Sequence, residues 1–458
     1  MIAFPAVALV LALAEPSPLP AQPVPEAAPL DVVAPAEEVE APAPSAPSTE
    51  KPAAVDVHKP PAPWTWNIGG IPALAFDQDN GIVFGAVGSV YFHDGVTNPY
   101  RLAVSAQIIF SSKLVQDHYL GFDFLNVADL PLRLTARLGW SQSLSQNYCG
   151  VGMAVTCDPV VAEAAADDAG LKGIERDDFL RHYYAIRFMN PYATLQGRWA
   201  LNPLPRRVEI FGGWRGSAYI PGTWADDDKD GEADLSPYPG SFYADDFPQG
   251  EPGFASVLQA GIMYDTRDNE PSPRRGVWAE TSVRGAAPFW GSTWTWGGAN
   301  ATVRTFVPLL DGEAPLRLTL ASRVVVDAVV GDPPIQEIVR PGGFIDYLSF
   351  GGSEMGRGIR VQRYVGKLKL YAQNELRWRF VEWEMFGQKF AASTNAFVDA
   401  GVVGEEILDP KLAGQPPVGF GGALLLHWAE NFMLRIDIAT SAVENFGTSV
   451  YINIGQTF

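Results

Sequence analysis

Between Lys367 and Phe380 the side chains change character at every residue. Leu368, Leu370, Ala372, Leu376, Trp378 and Phe380 share one face of an extended strand, and Lys367, Lys369, Gln373, Glu375, Arg377 and Arg379 share the other. A soluble sheet turns its apolar face inward. A strand with five charges on one face, and Trp and Phe ending the other, fits a β-barrel with lipid outside and a wet, charged lumen. No backbone edge can stay open in lipid, so such strands must close into a ring. The last ten residues repeat the pattern: Val450, Ile452, Ile454 and Phe458 on one face, with Tyr451, Asn453, Gly455 and Thr457 on the other. This predicts a closing strand that ends on an aromatic residue.

Strands are predicted near 69–77, 81–93, 98–112, 115–126, 131–143, 184–202, 206–219, 254–265, 275–287, 293–307, 315–328, 365–380, 388–403, 417–428, 431–441 and 447–458. Sixteen is an even number, as both termini on the periplasmic side require. The stretch 179–200 has room for one more strand. The three longest gaps, 144–183, 220–253 and 329–364, then fall at the same, outer end. The fold class is thus an all-β, sixteen-stranded antiparallel transmembrane barrel.

The mean hydropathy is near zero, as expected where alternating strands average out. After the N-terminus no apolar run reaches the roughly 20 residues of a transmembrane helix. The net charge of −19 has the wrong sign for nucleic-acid binding. Ile2 to Ala14 is apolar and small residues follow to Ala21, so residues 1–21 resemble a signal peptide without a preceding Lys or Arg. Cleavage near Ala14 and near Ala21 both fit. Residues 22–65 are rich in Pro, Ala and Glu and cannot bury enough apolar surface to offset chain entropy. They read as a disordered acidic linker, with binding of a periplasmic or outer-membrane partner as a further role. Residues 66–458 form the barrel, whose other partner is outer-membrane lipid. Cys149 and Cys157 sit close together in a loop; with export this reads as a disulfide, the alternative being two unpaired thiols.

Five motifs follow in order. The first is Tyr264-Asp265-Thr266-Arg267-Asp268-Asn269 with Gly276 beyond it, a turn motif built on Asp265, Arg267, Asp268 and Gly276. The second is Gly351-Gly352-Ser353-Glu354-Met355-Gly356-Arg357-Gly358-Ile359 ahead of Asn374-Glu375-Leu376-Arg377. Phe397-Val398-Asp399-Ala400-Gly401, Leu434-Arg435-Ile436-Asp437 and Ile454-Gly455-Gln456-Thr457-Phe458 complete the set. Together they resemble the BamA/TamA family of outer-membrane barrels, the bacterial surface antigen superfamily. That resemblance implies a sixteen-stranded barrel whose sixth extracellular loop folds into the lumen and carries an Arg-Gly motif. Arg357 is then that arginine, and Gly351, Gly352, Gly356, Gly358 and Ile359 form the loop tip. A planar guanidinium in a confined lumen needs carboxylate acceptors. The period-two pattern turns Glu375, Asp399 and Asp437 inward as its candidate partners. The chain departs from the family where Gly356 stands in place of an aliphatic residue and Ile359 in place of an aromatic one.

The resemblance implies a non-enzymatic role in inserting or translocating proteins, or lipids, at the outer membrane of a Gram-negative bacterium. Gly69, Gly70 and Pro72 make the first strand a poor ladder partner, which suits a seam that opens sideways. Family members also carry POTRA domains, for which the Pro-rich segment before Trp64 leaves no room. The alternative is therefore a passive pore or display barrel that has lost translocation. Asp226, Asp228, Asp230 and Asp234 match four positions of a calcium loop with Gly231 at the sixth, but position twelve is Pro237 and flanking helices are absent. A calcium site and a solvated acidic loop both remain readings of it; no other cofactor is implied. The five histidines show no metal-ligand spacing and Ser353 lies in no nucleophile elbow, so no enzyme is indicated.

Overall fold

The period-two segments pair into a closed antiparallel ring in a computed structural model, which describes residues 64–458 apart from 78–80, 98–99, 154–156, 203–206, 224–233, 271, 346–349, 386–387, 409–415 and 429–431. Residues 1–63, which hold the predicted signal peptide and nearly all of the linker, lie outside the described residues. Among the described residues the ring has sixteen strands. These are β1 (Thr65–Asp77), β2 (Gly81–His93), β3 (Leu102–Ser111), β4 (Gln116–Phe124), β5 (Leu132–Asn147), β6 (Ala185–Ala200), β7 (Arg207–Pro221) and β8 (Gly253–Asp265). Then follow β9 (Gly276–Ala286), β10 (Trp296–Asp311), β11 (Arg317–Gly331), β12 (Leu368–Met385), β13 (Gln388–Gly404), β14 (Val418–Trp428), β15 (Phe432–Ser441) and β16 (Ser449–Ile454).

Each strand pairs with its sequence neighbours, and β1 meets β16 to close the ring. That closure is thin. The β1–β2 register runs unbroken from Thr65 opposite His93 to Asp77 opposite Gly81, whereas among the described residues β1 and β16 share one register pair, Phe76 with Ile452.

Burial is inverted relative to a soluble sheet. On β12, Lys369, Gln373, Glu375 and Arg377 are buried, while Leu370, Leu376 and Trp378 are exposed. On β14, Leu424, Leu426 and Trp428 are exposed and His427 is buried. An exposed apolar wall over a charged interior is stable only where the outer solvent is itself apolar. At the short-turn end, the rings of Trp383, Phe390 and Trp428 stack across three strands at 5.7 and 6.2 Å, as in the aromatic girdle of a membrane interface.

Two expectations are corrected. No extra strand lies in 179–200: residues Gly173–His182 form a helix, and Ala185–Ala200 is one strand. Glu175, Arg176, Asp177 and Asp178 break the alternation a strand needs, and Phe179 meets Tyr183 one helical turn on, with ring centroids 5.4 Å apart. The closing strand also does not run to Phe458. It stops at Ile454; Gly455 takes φ +92°, and the chain turns off the wall. Phe458 is buried against Phe306 and Ala321, which face the lumen.

The three long loops, 148–184, 222–252 and 332–367, stand at one end of the ring. They share a core in which Tyr148, Tyr243, Ile335, Ile338 and Val365 pack against Ile186 and Phe188 of β6. In the first loop Asp158 caps helix Pro159–Asp168, accepting from Val160 N at 2.9 Å.

Candidate functional site

The site is the stretch of loop 332–367 that descends into the lumen. Its tip carries Arg357, which has no exposed surface. The guanidinium donates from Nε and Nη2 to the two oxygens of Asp399, both at 2.9 Å, and the Arg357 backbone N–H adds a third bond to Asp399 at 2.9 Å. Nη1 donates to Glu375 at 2.6 Å, to Asp437 at 3.3 Å and to Thr457 Oγ1 at 3.2 Å. The planar fork thus spans β12, β13 and β15, and its face lies 3.5 Å over the Phe397 ring.

Buried charge is tolerated only when paired and hydrogen-bonded. Glu375 also accepts from Arg377 Nε at 2.8 Å, and Asp437 from Arg435 Nε at 2.7 Å. Arg357, Arg377 and Arg435 stand against Glu375, Asp399 and Asp437, so the six charges sum to zero. The turned-in terminal residues complete it. Thr457 Oγ1 accepts from Arg435 at 2.7 Å, the Phe458 backbone oxygen accepts from Arg377 Nη2 at 2.9 Å, and the Phe458 ring lies 4.8 Å below Arg323.

Close approach explains the glycines. A β-carbon on Gly419 of β14 would collide with the Arg357 carbonyl, and one on Gly358 would strike the Thr440 backbone. Gly351, Gly352, Gly356 and Gly358 all take positive φ. Ile359 is fully buried with Phe350, Met355 and Tyr371; the aromatic that contacts Arg357 is Phe397, on the wall.

Sequence reading missed a second set of anchors in the same loop. Gly342 N donates to Asp327 at 2.9 Å, and Asp327 is held by Arg284 at 2.7 Å and Lys369 at 2.9 Å. The Gly343 carbonyl accepts from Gln259 at 2.7 Å, and Phe344 N donates to both oxygens of Glu280, at 3.0 and 2.9 Å. Nearer the loop entrance, Glu337 accepts from Arg215 and from Tyr219, each at 2.6 Å. Burial pushes the Glu337 carboxyl up, but Arg215 and its other donors outweigh this and hold it at about 2. Inward-facing charges on β9 and β11 were the available signal; their partners are backbone groups of a loop, which carry no sequence signature.

The remaining sequence-derived residues fall elsewhere. In the short turn 266–275, Arg267 is bidentate to Asp265 at 3.0 and 2.8 Å, and Asp268 accepts from Arg274 N at 2.9 Å. Gly276 has φ +111°. Cys149 and Cys157 are sulfur to sulfur, with Cα atoms 5.0 Å apart. Of the calcium motif, Asp226, Asp228 and Asp230 lie outside the described residues, while the Asp234 carbonyl accepts from Thr223 N at 2.9 Å. A Ser–His contact exists inside the barrel, between Ser393 Oγ and His427 Nε2. Arg379 points at His427 Nδ1 from 3.5 Å.

An inverted sixteen-strand ring with a long loop fastened in its lumen defines a membrane-spanning β-barrel of the outer-membrane type. Residues 222–458, just over half of the chain, match the Omp85 superfamily domain. The chain belongs to the Omp85 superfamily of bacterial outer-membrane barrels. Among solved structures it is similar to BamA from Haemophilus ducreyi lacking POTRA domains 1–3, at 11% identity and TM-score 0.51, over 86% of this chain and 70% of that one. It is likewise similar to CdiB from Escherichia coli, at 13% identity and TM-score 0.53, over 87% of this chain and 63% of that one. The chain therefore spans less than two thirds of the CdiB structure. No curated protein matches it in sequence.

Proposed function

We propose that this barrel inserts or translocates proteins at the outer membrane of a Gram-negative bacterium, without enzymatic chemistry. The observation that carries the reading is the pairing of a locked lumen with a thin seam. Loop 332–367 enters the lumen and is fastened there through Arg357, and among the described residues β1 meets β16 at one register pair. A lumen closed by a removable lock, beside a seam held by few backbone bonds, suits passage or sideways release of a polypeptide. Superfamily membership and the similarity to BamA and CdiB support it. In this reading the long-loop end faces outside and the short turns face the periplasm. Residues 1–21 are the signal peptide, 22–65 a linker open to a partner subunit, and 66–458 the barrel. Cys149 and Cys157 form a disulfide in that oxidising setting.

The test is a disulfide across the seam. Phe76→Cys with Ile452→Cys joins the directly opposed pair. In liposomes holding the purified chain, insertion of an unfolded outer-membrane barrel is followed by its heat-dependent gel shift. Insertion should fall at least about tenfold when the bond forms and recover on reduction. Equal insertion in both states would rule out sideways opening. A large, steady conductance in planar bilayers that ignores added substrate would instead mark a passive pore.

A further inference from the structure

On the lipid-facing side of β12 one residue is out of keeping with its neighbours. Leu370, Leu376 and Trp378 are exposed on that side, and Asn374 stands exposed among them. The Trp378 indole donates to the Pro315 carbonyl at 2.8 Å, so Trp378 marks the short-turn edge of the wall. Asn374 is four residues further along the strand, a distance of about 13 Å at about 3.3 Å per residue. With the tilt usual in such barrels this is about 10 Å of depth, near the middle of an apolar band about 25 Å tall.

Asn374 belongs to a polar row. Ser322 of β11 is directly opposite it, and Thr305 of β10 is directly opposite Ser322, so three polar side chains lie in line across the lipid face. Ser322 Oγ donates to Asn374 Oδ1 at 2.8 Å. Two other hydroxyls of this face are spent on the sheet itself: Thr281 donates to the Asn300 carbonyl at 3.1 Å, and Thr394 to the Ala423 carbonyl at 2.8 Å. An amide has two N–H donors, and the bond from Ser322 uses neither. The side chain also stands above low ground. Ala372 precedes it on the same face, and Ala396 and Ala400 flank the residue opposite it, Val398.

An amide turned to hydrocarbon is costly unless its polar atoms find partners. We propose that a second copy of this chain docks on this face within the membrane, with the Asn374 amides of the two copies hydrogen-bonded to each other. Two copies in one bilayer share the same up-down orientation, so a two-fold axis relating them runs along the membrane normal. Each residue then meets its counterpart at its own depth. A primary amide is complementary to itself: it gives one N–H and accepts one on the oxygen lone pair that Ser322 leaves free. The alanines let the two walls close on that pair, as small residues do between membrane helices. Three strands separate β12 from β16, so the contact leaves the β1–β16 seam uncovered. The proposal rests on the membrane-spanning ring and not on the translocation reading.

The test uses the full chain, dye-labelled and counted molecule by molecule in phospholipid vesicles over a range of protein-to-lipid ratios. The wild type should pass from single copies to pairs as its density rises. Asn374→Leu should lower the association constant about tenfold, the worth of two such bonds in a bilayer. Val283→Ala, on the lipid face of β9, should leave it unchanged. In the same vesicles Ala372→Cys should form a disulfide between copies, whereas Val283→Cys should not. Folding of each variant is checked by heat-dependent gel mobility. A wild type that stays single at every density, or pairs equally tight in Asn374→Leu, overturns the proposal. So does native mass spectrometry of the chain from its own membrane, if Asn374 there supports a complex with a different protein and no pair of this one. Should Asn374→Leu fail to fold, Ala396→Trp, which sets a bulky ring beside the amide, decides: loss of the pairs supports the contact, and unchanged pairing overturns it.

Discussion

The backbone carbonyl of Arg357 lies against the α-carbon of Gly419, with no room between them for a methyl group. The locked pose therefore depends on the second residue of β14 as much as on the arginine. Gly419→Ala should push the loop tip off the wall and cost about 1–3 kcal/mol, as overpacked positions do. Lower midpoint in urea unfolding, with more frequent opening in planar bilayers, is the expected outcome; unchanged values in both would show the loop is not held there.

Arg357→Ala should be more damaging than loss of one surface charge. It leaves Glu375, Asp399 and Asp437 with two buried arginines in place of three, and breaking such a buried network costs about 3–5 kcal/mol. Arg357→Lys should recover little, because an ammonium cannot be bidentate to Asp399 while reaching Glu375. Adding Asp399→Asn to Arg357→Ala should restore part of the stability by removing the orphaned charge. Urea titrations of the four chains check this, and a double variant no more stable than Arg357→Ala refutes the charge account.

The second anchor set predicts independence. Glu280→Gln with Asp327→Asn loosens residues 342–344, which contact β8, β9 and β11, while Arg357 contacts β12, β13 and β15. Sites with no shared partners usually add. Each set alone should raise open probability in planar bilayers modestly, and the combination should free the loop. If Arg357→Ala alone gives the full effect, the second set does not hold the loop.

Acid should loosen the loop entrance. The Glu337 carboxyl is held at about 2 in the fold, below its ordinary value of 4.5. A depressed carboxylate contributes stability above the unfolded value, and this is lost as pH falls from about 4.5 through 2. Hydrogen exchange of residues 335–338 should accelerate across that window, and the step should vanish in Glu337→Gln. An identical step in the variant would assign it elsewhere.

The barrel was legible because its physics is local. Alternation on Lys367 to Phe380 assigned each residue to a face, and strand β12 has the burial that pattern requires. Two things were not legible. The stretch ending at Phe458 alternates like a strand, yet the contacts of Thr457 and Phe458 with Arg435, Arg377 and Arg323 win over continued pairing. Gly342 to Phe344 gave no signal because backbone N–H groups, which every residue but proline has, make their contacts with Asp327 and Glu280.

Pinned through Glu337 and Gly342 to Phe344 on one sector of the wall, and through Arg357 on the next, the loop is a chord across the ring. A ring with a chord resists becoming oval. Widening at the β1–β16 seam is an oval distortion, so it must stretch the chord or detach one of its ends. In the proposed sideways opening the lock inside the barrel and the thin seam in its side act as parts of one mechanical element, and the cross-section changes only as fast as the buried ion pairs let go.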